Sequence, residues 1–323
     1  MKGLPMKAAI YTSPGKPEVL HIADVADPVP ADNELLIRVE AISIEGGDLV
    51  NRREFPQEDH AVIGYSAAGE IVQIGKDVSG FSLGQKVTTF SWKGSHAELR
   101  AVPAGNCFVV PDGLDLGVAA TIPVSAGTAA WVLELGALKA GQTVLVLGAS
   151  GGVGVAAVQL AAKKGARVIG TGTRAESLEK LREYGLSDAI VTADKTAHEQ
   201  VRALLDGKGV DLIIDNVGGD ALNDALQALN EGGRAVLVGV FGGRKTQIDA
   251  GQLLMRRQTV IGCLLGPIMG EPEPRKLIEE LLNQALNGEL NVPIDATFAF
   301  ADVAEAHRRA EERGRIGRVV MTL

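Results

Sequence analysis

The sequence predicts an α/β protein with a compact, strand-rich N-terminal domain followed by a doubly wound parallel sheet of six strands. Three observations carry this prediction. At 323 residues the chain exceeds what most single cores support, so two domains are expected. From about Lys7 to Pro123, strand-like alternation is broken by Gly, Pro and Asp every ten residues or so. After Pro123, apolar runs of four to six residues alternate with helical stretches, the texture of a parallel sheet covered on both faces.

Taken in order, the first region offers the strands AAIYTS, ELLIRVEAISI, AAGEIVQIG, QKVTTF and HAELRAV. The second offers Val144–Leu147, Arg167–Thr171, Ala189–Val191, Val210–Asp215, Ala235–Gly239 and Thr259–Ile261, enough for a six-stranded sheet. Beyond Gly266 a helix is predicted over Pro274 to Asn287, apolar along one face, with Gly288 as its stop. Another is predicted to begin at Asp302, with Glu305 as a capping-box partner. The closing Arg318-Val319-Val320-Met321 reads as a strand that returns to complete the N-terminal domain.

Composition narrows the function classes. A hydrophobic fraction of 46% and a charged fraction of 22% are those of an ordinary globular protein. The net charge of −8, without a long basic run, gives a nucleic acid or an anionic membrane little to bind. The N-terminus lacks the apolar core of a signal peptide, and no stretch reads as long and apolar enough to span a bilayer. Two cysteines, Cys107 and Cys263, allow neither a disulfide framework nor a four-cysteine zinc lobe, and suggest a reduced, cytoplasmic protein.

The segment Thr143 to Gly172 is the most informative. An apolar run opens into Ala149-Ser150-Gly151-Gly152-Val153-Gly154, a small-residue helix follows, and a second apolar run ends without an acid. This strand–turn–helix–strand context fits a dinucleotide pyrophosphate held at a helix N-terminus; a purely structural turn is the alternative. Ala149 stands at the first glycine position, where a methyl is tolerable. Gly151 must admit the pyrophosphate and Gly154 must let helix meet strand. A NAD-binding unit would place an Asp or Glu near Thr171-Gly172-Thr173-Arg174. Its absence removes repulsion toward a 2′-phosphate, and Arg174 offers a planar cation to bind one, so NADPH is the expected cofactor. Arg174 as a solvated loop residue is the alternative.

These features and others resemble the zinc-independent quinone oxidoreductase (zeta-crystallin-like) branch of the medium-chain dehydrogenase/reductase superfamily. The matching pieces span nearly the whole chain: GKPEVL, Asp48-x-x-x-Arg52, GYSAAGEIVQIG, GQKV, GSHAEL, ATIPVSAGTAAW, KAGQTVLVLGASGGVGVAAVQLA, DLIIDNVGGDALNDALQAL, EGGRAVLVG and GRVVMTL. The resemblance implies a GroES-like catalytic domain from both chain ends, residues 1–122 and 266–323, with a Rossmann domain inserted at 123–265. It further implies a nicotinamide in the interdomain cleft and a homodimer or homotetramer.

Zinc-dependent relatives carry Cys in the loop around Glu45 and Gly-His-Glu where this chain has Gly64-Tyr65-Ser66. A catalytic zinc needs about three protein ligands, and the five histidines include no two at metal-ligand spacing, so no metal is expected. Oxyanion stabilisation then falls to hydrogen bonding or proton transfer. Tyr65 is the first candidate, with a packed core tyrosine as the alternative. The branch usually has Asn where this chain has Glu45, and bulk where it has Gly46 and Gly47. Glu45 and Asp48 could relay a proton, or Glu45 could pair with a cation; the glycines should loosen the wall.

The resemblance also carries cofactor roles to Ser43, Ile44, Thr128, Asn216, Val217, Gly239, Val240, Leu264, Leu265 and Arg318, the last replacing a usual Lys. A Tyr that relatives often carry after the third strand is replaced by Thr192-Ala193-Asp194, which should make NADPH preference modest. The expected activity is direct hydride transfer from NADPH to a quinone, without zinc or flavin. An α,β-unsaturated ketone or aldehyde is the other substrate class. An NADPH-binding structural or regulatory protein with little turnover is the reading of another kind.

Overall fold

In a computed structural model that describes residues 5–192 and 196–323, the chain divides into two compact units. The first holds the described residues up to Gly127 together with Leu265–Glu312 and Arg318–Leu323; the second holds Thr128–Leu264 and Arg313–Gly317. The short run Arg313–Gly317 thus groups away from the rest of the C-terminal segment, inside the span expected to belong wholly to the catalytic domain.

The first unit contributes β1 (Met6–Ile10), β2 (His21–Val25), β3 (Glu34–Ser43), β4 (Ser66–Ile74), β5 (Lys86–Phe90), β6 (Leu99–Pro103) and β7 (Cys107–Val109). The second contributes β8 (Thr143–Leu147), β9 (Arg167–Gly172), β10 (Asp188–Val191), β11 (Val210–Asp215), β12 (Leu229–Leu237) and β13 (Thr259–Gly262). The chain end returns β14 (Ile294–Ala299) and β15 (Arg318–Thr322) to the first unit.

In the first unit β1 and β2 form a ribbon, and a larger sheet runs β14-β15-β3-β4-β5-β7, with β6 also on β3. The terminal run is β15: Val320 lies opposite Ser43 on antiparallel β3, and β14 runs parallel on its other side. Alternation along β3 buries Leu35, Ile37 and Val39. Val39, Ile42, Ile44 and Leu49 pack with Phe300, Val303, Val319 and Met321, so residues from both chain ends share one core. β7 escapes prediction because it is only three residues long, and β2 and β14 because their faces are mixed and partly exposed.

The second unit is a six-stranded sheet of order β10-β9-β8-β11-β12-β13, every neighbouring pair parallel. This is the doubly wound order 3-2-1-4-5-6, whose reversal beside the first strand marks the usual ligand crevice. β12 begins before Ala235 and stops at Leu237. Val238 and Gly239 both turn their N–H groups onto Asp215 O, leaving Gly239 and Val240 in the loop beyond the strand.

Two helix predictions need revision. The helix Pro272–Leu286 starts two residues early, with proline in its first turn, and Gly288 follows its end at φ +72°. No capping box forms at Asp302, which already turns within Phe300–Asp302 at φ −94°, ψ 29° and makes no side-chain cap hydrogen bond. Glu305 pairs with Arg308 instead. The expectation that no stretch could span a bilayer also fails on composition. The helical run Leu116–Leu135 covers 20 residues at mean hydropathy 1.6, but 72% of its most apolar window is buried in the protein. An all-round apolar helix of that kind also suits an interior position.

Candidate functional site

In the second unit, β8 delivers the chain to Gly148, at φ +66°, and the helix Gly152–Lys163 leaves from Gly151. The turn is closed by Ala149 N–H donating to Thr171 O at 3.0 Å. Each predicted position has a distinct constraint. A Cβ on Gly154 would lie 2.5 Å from Gly148 O, so only glycine lets helix meet strand here. A Cβ on Gly151 would find nothing nearer than 3.6 Å, so the protein itself leaves that position open. The Ala149 methyl fits because Gly170 faces it, where a Cβ would sit only 2.9 Å away.

β9 ends at Gly172 without an acid, and Thr173 and Arg174 are exposed. Arg174 has no ion pair or hydrogen-bonded side-chain partner among the described residues. One neighbour was missed from sequence. The run Arg313–Gly317 lies along this turn: Gly317 N–H donates to Ser150 O at 3.0 Å, and Ser177 Oγ donates to Gly314 O at 2.7 Å. Its signal was the doubled Arg-Gly pattern RGRIGR, but nothing in sequence spacing ties it to a turn over 160 residues earlier.

Beside the turn, at the end of β11, Asn216 Nδ2 donates to Leu147 O at 2.9 Å while its Oδ1 is buried without a partner among the described residues. Asp215 Oδ1 accepts from Val217 and Gly218 N–H, shaping the loop. Burial raises the Asp215 pKa, against the lowering effect of those two bonds. A Cβ on Gly239 would meet Asn216 O at 2.2 Å, so the loops after β11 and β12 touch through backbone. Val240 and Leu264 are exposed, and Thr128 is buried. Ala193 and Asp194 lie outside the described residues.

The other named residues belong to the first unit. Glu45, fully buried, meets Arg318 at 2.6 Å and accepts from Ser43 Oγ at 2.6 Å; Arg318 Nε donates to Ser125 Oγ at 2.7 Å. Of the two readings of Glu45, pairing with a cation is the one the geometry carries. The same contacts engage the polar side-chain groups of Arg318 and Ser43 inside the unit. Ile44 is buried, with its N–H on Val319 O, and Leu265 is buried as well. Asp48 Oδ2 accepts from Glu45 N–H at 2.8 Å at the start of the helix Gly46–Glu54. Burial pushes the Asp48 carboxyl up to about 8, with the Glu45 charge adding to the rise and Arg318 opposing it. Arg52, from the same motif, is buried on Gly15 O at 2.7 Å and on Glu311.

Tyr65 is half-buried. A Cβ on Gly47 would lie 2.1 Å from its ring, so Gly47 does not loosen this wall: the Tyr65 ring occupies the space. Asn51 Nδ2 donates to Tyr65 Oη at 3.1 Å. Burial raises the Tyr65 pKa, helped by the Asp48 charge, so the hydroxyl stays protonated.

The histidines hold a surprise that spacing hides. His96 and His307, 211 residues apart, are buried with their Nε2 atoms 3.0 Å apart, and Ser95 Oγ lies 2.9 Å from His96 Nδ1. Burial lowers both pKa values, that of His96 to about 3. Among the described residues, no group of three or more His, Cys, Asp or Glu could hold a metal ion.

Comparison with known proteins fits both halves. Residues 31–112 match the alcohol dehydrogenase GroES-like domain family and residues 152–283 the zinc-binding dehydrogenase family. A quinone oxidoreductase of Lama guanicoe is 30% identical, over 98% of each chain. An acryloyl-coenzyme A reductase of Metallosphaera sedula is 25% identical, over 98% of this chain and 100% of its own. The solved structure of mycobacterial Rv1454c complexed with NADPH superposes at TM-score 0.91 with 30% identity, covering 98% of this chain and 100% of that one.

Proposed function

The chain belongs to the quinone oxidoreductase-like branch of the medium-chain dehydrogenase/reductase superfamily, and from that premise we propose that it is an NADPH-dependent reductase of quinones or related conjugated carbonyls. The observation that carries the reading is the acid-free end of β9, followed by an exposed Arg174 with no ion-pair partner among the described residues, together with an open Gly151 in the turn after β8.

The residues fit the cofactor. Ser150, Gly151, Gly152, Val153 and Gly154 would hold the pyrophosphate at the helix N-terminus, where backbone N–H groups and the helix dipole favour an anion. Gly172, Thr173 and Arg174 would take the adenosine ribose and its 2′-phosphate, Arg174 through a planar pair of donors. The orphaned Oδ1 of Asn216 would accept a hydrogen bond from the nicotinamide end, with Val217, Gly239 and Val240 around it. Bound NADPH supplies the hydride. Tyr65 donates a hydrogen bond to the acceptor oxygen as charge develops there, and its raised pKa keeps that proton in place. Glu45 and Asp48 support the wall rather than relay protons.

An α,β-unsaturated carbonyl reduced at its β-carbon is the second reading, supported by similarity to the Metallosphaera sedula acryloyl-coenzyme A reductase. A homodimer or homotetramer is part of the same proposal and is read by light scattering. The deciding experiment follows NADPH absorbance with a panel of quinones and enones. Acceptor-dependent oxidation is expected; tight NADPH binding without consumption would turn the reading to a structural or regulatory protein.

A further inference from the structure

The first unit contains an aromatic cluster that the cofactor reading does not use. Tyr65, Phe90 and Trp92 meet edge to face, with centroids 5.4 Å apart for Tyr65–Trp92, 5.0 Å for Phe90–Trp92 and 6.0 Å for Tyr65–Phe90. Edge-to-face packing leaves ring faces uncovered, and the three rings differ in exposure. Phe90 is buried at 3%, whereas Trp92 is 47% exposed. A tryptophan is costly to leave in water unless something covers it.

Two glycines hold the cluster. Gly47 leaves room for the Tyr65 ring, and a Cβ on Gly266 would lie 2.7 Å from both Phe90 Cζ and Trp92 Cζ2. One turn after Gly47 on the same helix face stands Asn51. Gly47 admits the ring and Asn51 catches its hydroxyl. Because Asn51 donates to Tyr65 Oη, the phenolic proton has to point elsewhere, and no described residue accepts it. A flat exposed indole beside an oriented, unspent O–H donor matches one ligand chemistry: a planar ring carrying a carbonyl oxygen.

We propose that Trp92 is the stacking wall for the acceptor's ring, and that Asn51 is a positioning residue that turns the Tyr65 proton toward the acceptor's oxygen. The inference rests on the reductase reading and names the recognition elements within it. No covalent step is involved: the acceptor is stacked and hydrogen-bonded.

The first test is a double-mutant cycle. Asn51→Ala should lower kcat about five- to tenfold, the loss of roughly one hydrogen bond, and should have no further effect in a Tyr65→Phe background. Additive losses would overturn the positioning role. Trp92→Ala should raise the acceptor KM roughly tenfold while the NADPH KM holds, with Trp92→Phe restoring most of it. Equal changes in both KM values would overturn the stacking role.

A binding measurement separates this inference from the reductase reading. In a Trp131→Phe variant, Trp92 is the remaining tryptophan. Titration with a 1,4-naphthoquinone should quench its fluorescence saturably, whereas a linear, unsaturable quench would overturn the platform. Saturable quenching without NADPH oxidation would uphold the platform and sink the reductase reading.

Discussion

Glycine does opposite work around the turns after β8 and β11 and around the Tyr65 ring. At Gly154 and Gly239 it allows backbone to meet backbone, with Cβ positions 2.5 Å from Gly148 O and 2.2 Å from Asn216 O. At Gly47 and Gly266 it makes room for the rings of Tyr65, Phe90 and Trp92. Backbone cannot step aside without unmaking strand and turn, whereas a ring can rotate or be replaced. The glycine turn is therefore fixed by main-chain geometry, and the Tyr65 wall by a set of matched side chains. The units also differ in what they bury. The first encloses Glu45, Asp48, Arg52, His96, Arg100, His307 and Arg318, whereas the second buries few ionisable groups, Asp215 foremost.

Acid should expose that difference most strongly. His96 and His307 titrate normally when unfolded but have lowered pKa values when folded, His96 near 3. The unfolded chain then binds more protons, so the stability these residues contribute is present above about pH 6.5 and is lost as the pH falls toward 3. Asp48 has the opposite sign. Its pKa rises from 3.8 to about 8, so its contribution is present at low pH and lost as pH rises through 8. Hydrogen exchange between pH 7 and 4 should show the first unit opening before the second. Simultaneous opening, or no change of slope in a His96→Gln/His307→Gln variant, would remove the contrast.

Next in size is Glu45→Gln. It strands the buried Arg318 and should cost about 3–5 kcal/mol in urea unfolding. A loss below 1 kcal/mol would mean the guanidinium finds other partners or water. Gly154→Ala should cost about 1–3 kcal/mol through overpacking and weaken NADPH binding, without rescue from a neighbouring side-chain change. Gly47→Ala should instead lower turnover with NADPH affinity intact, and a Tyr65→Ser partner substitution should recover stability. Failure of that recovery would show that backbone strain, not the ring, limits position 47. The smallest effect belongs to Arg174→Ala. It should weaken NADPH about tenfold, for one charged hydrogen-bonding group, and leave NADH unchanged in calorimetric titration.

Much of this chain could be read in advance, for reasons that particular residues make plain. The strands β8, β9 and β11 are short, mostly apolar runs bounded by turn residues, and the role of Gly154 follows from its place between a strand and a helix. Such features depend on neighbours a few residues away. β14 was not legible, because its faces are mixed and its pairing with β15 is set by distant chain. Glu45 was legible as an anomaly but not as an ion pair, since its partner lies at the far end of the sequence.

The sequence by itself determined the two-part α/β architecture, the glycine turn and its bias toward a phosphorylated dinucleotide, because these rest on local periodicity and backbone permissiveness. Only the tertiary structure decided that Gly47 serves Tyr65, that Arg318 neutralises Glu45, that His96 finds His307, and that residues 313–317 lie along the turn. Those choices are contacts between side chains or loops far apart in sequence, and burial makes each depend on a partner that spacing alone cannot identify.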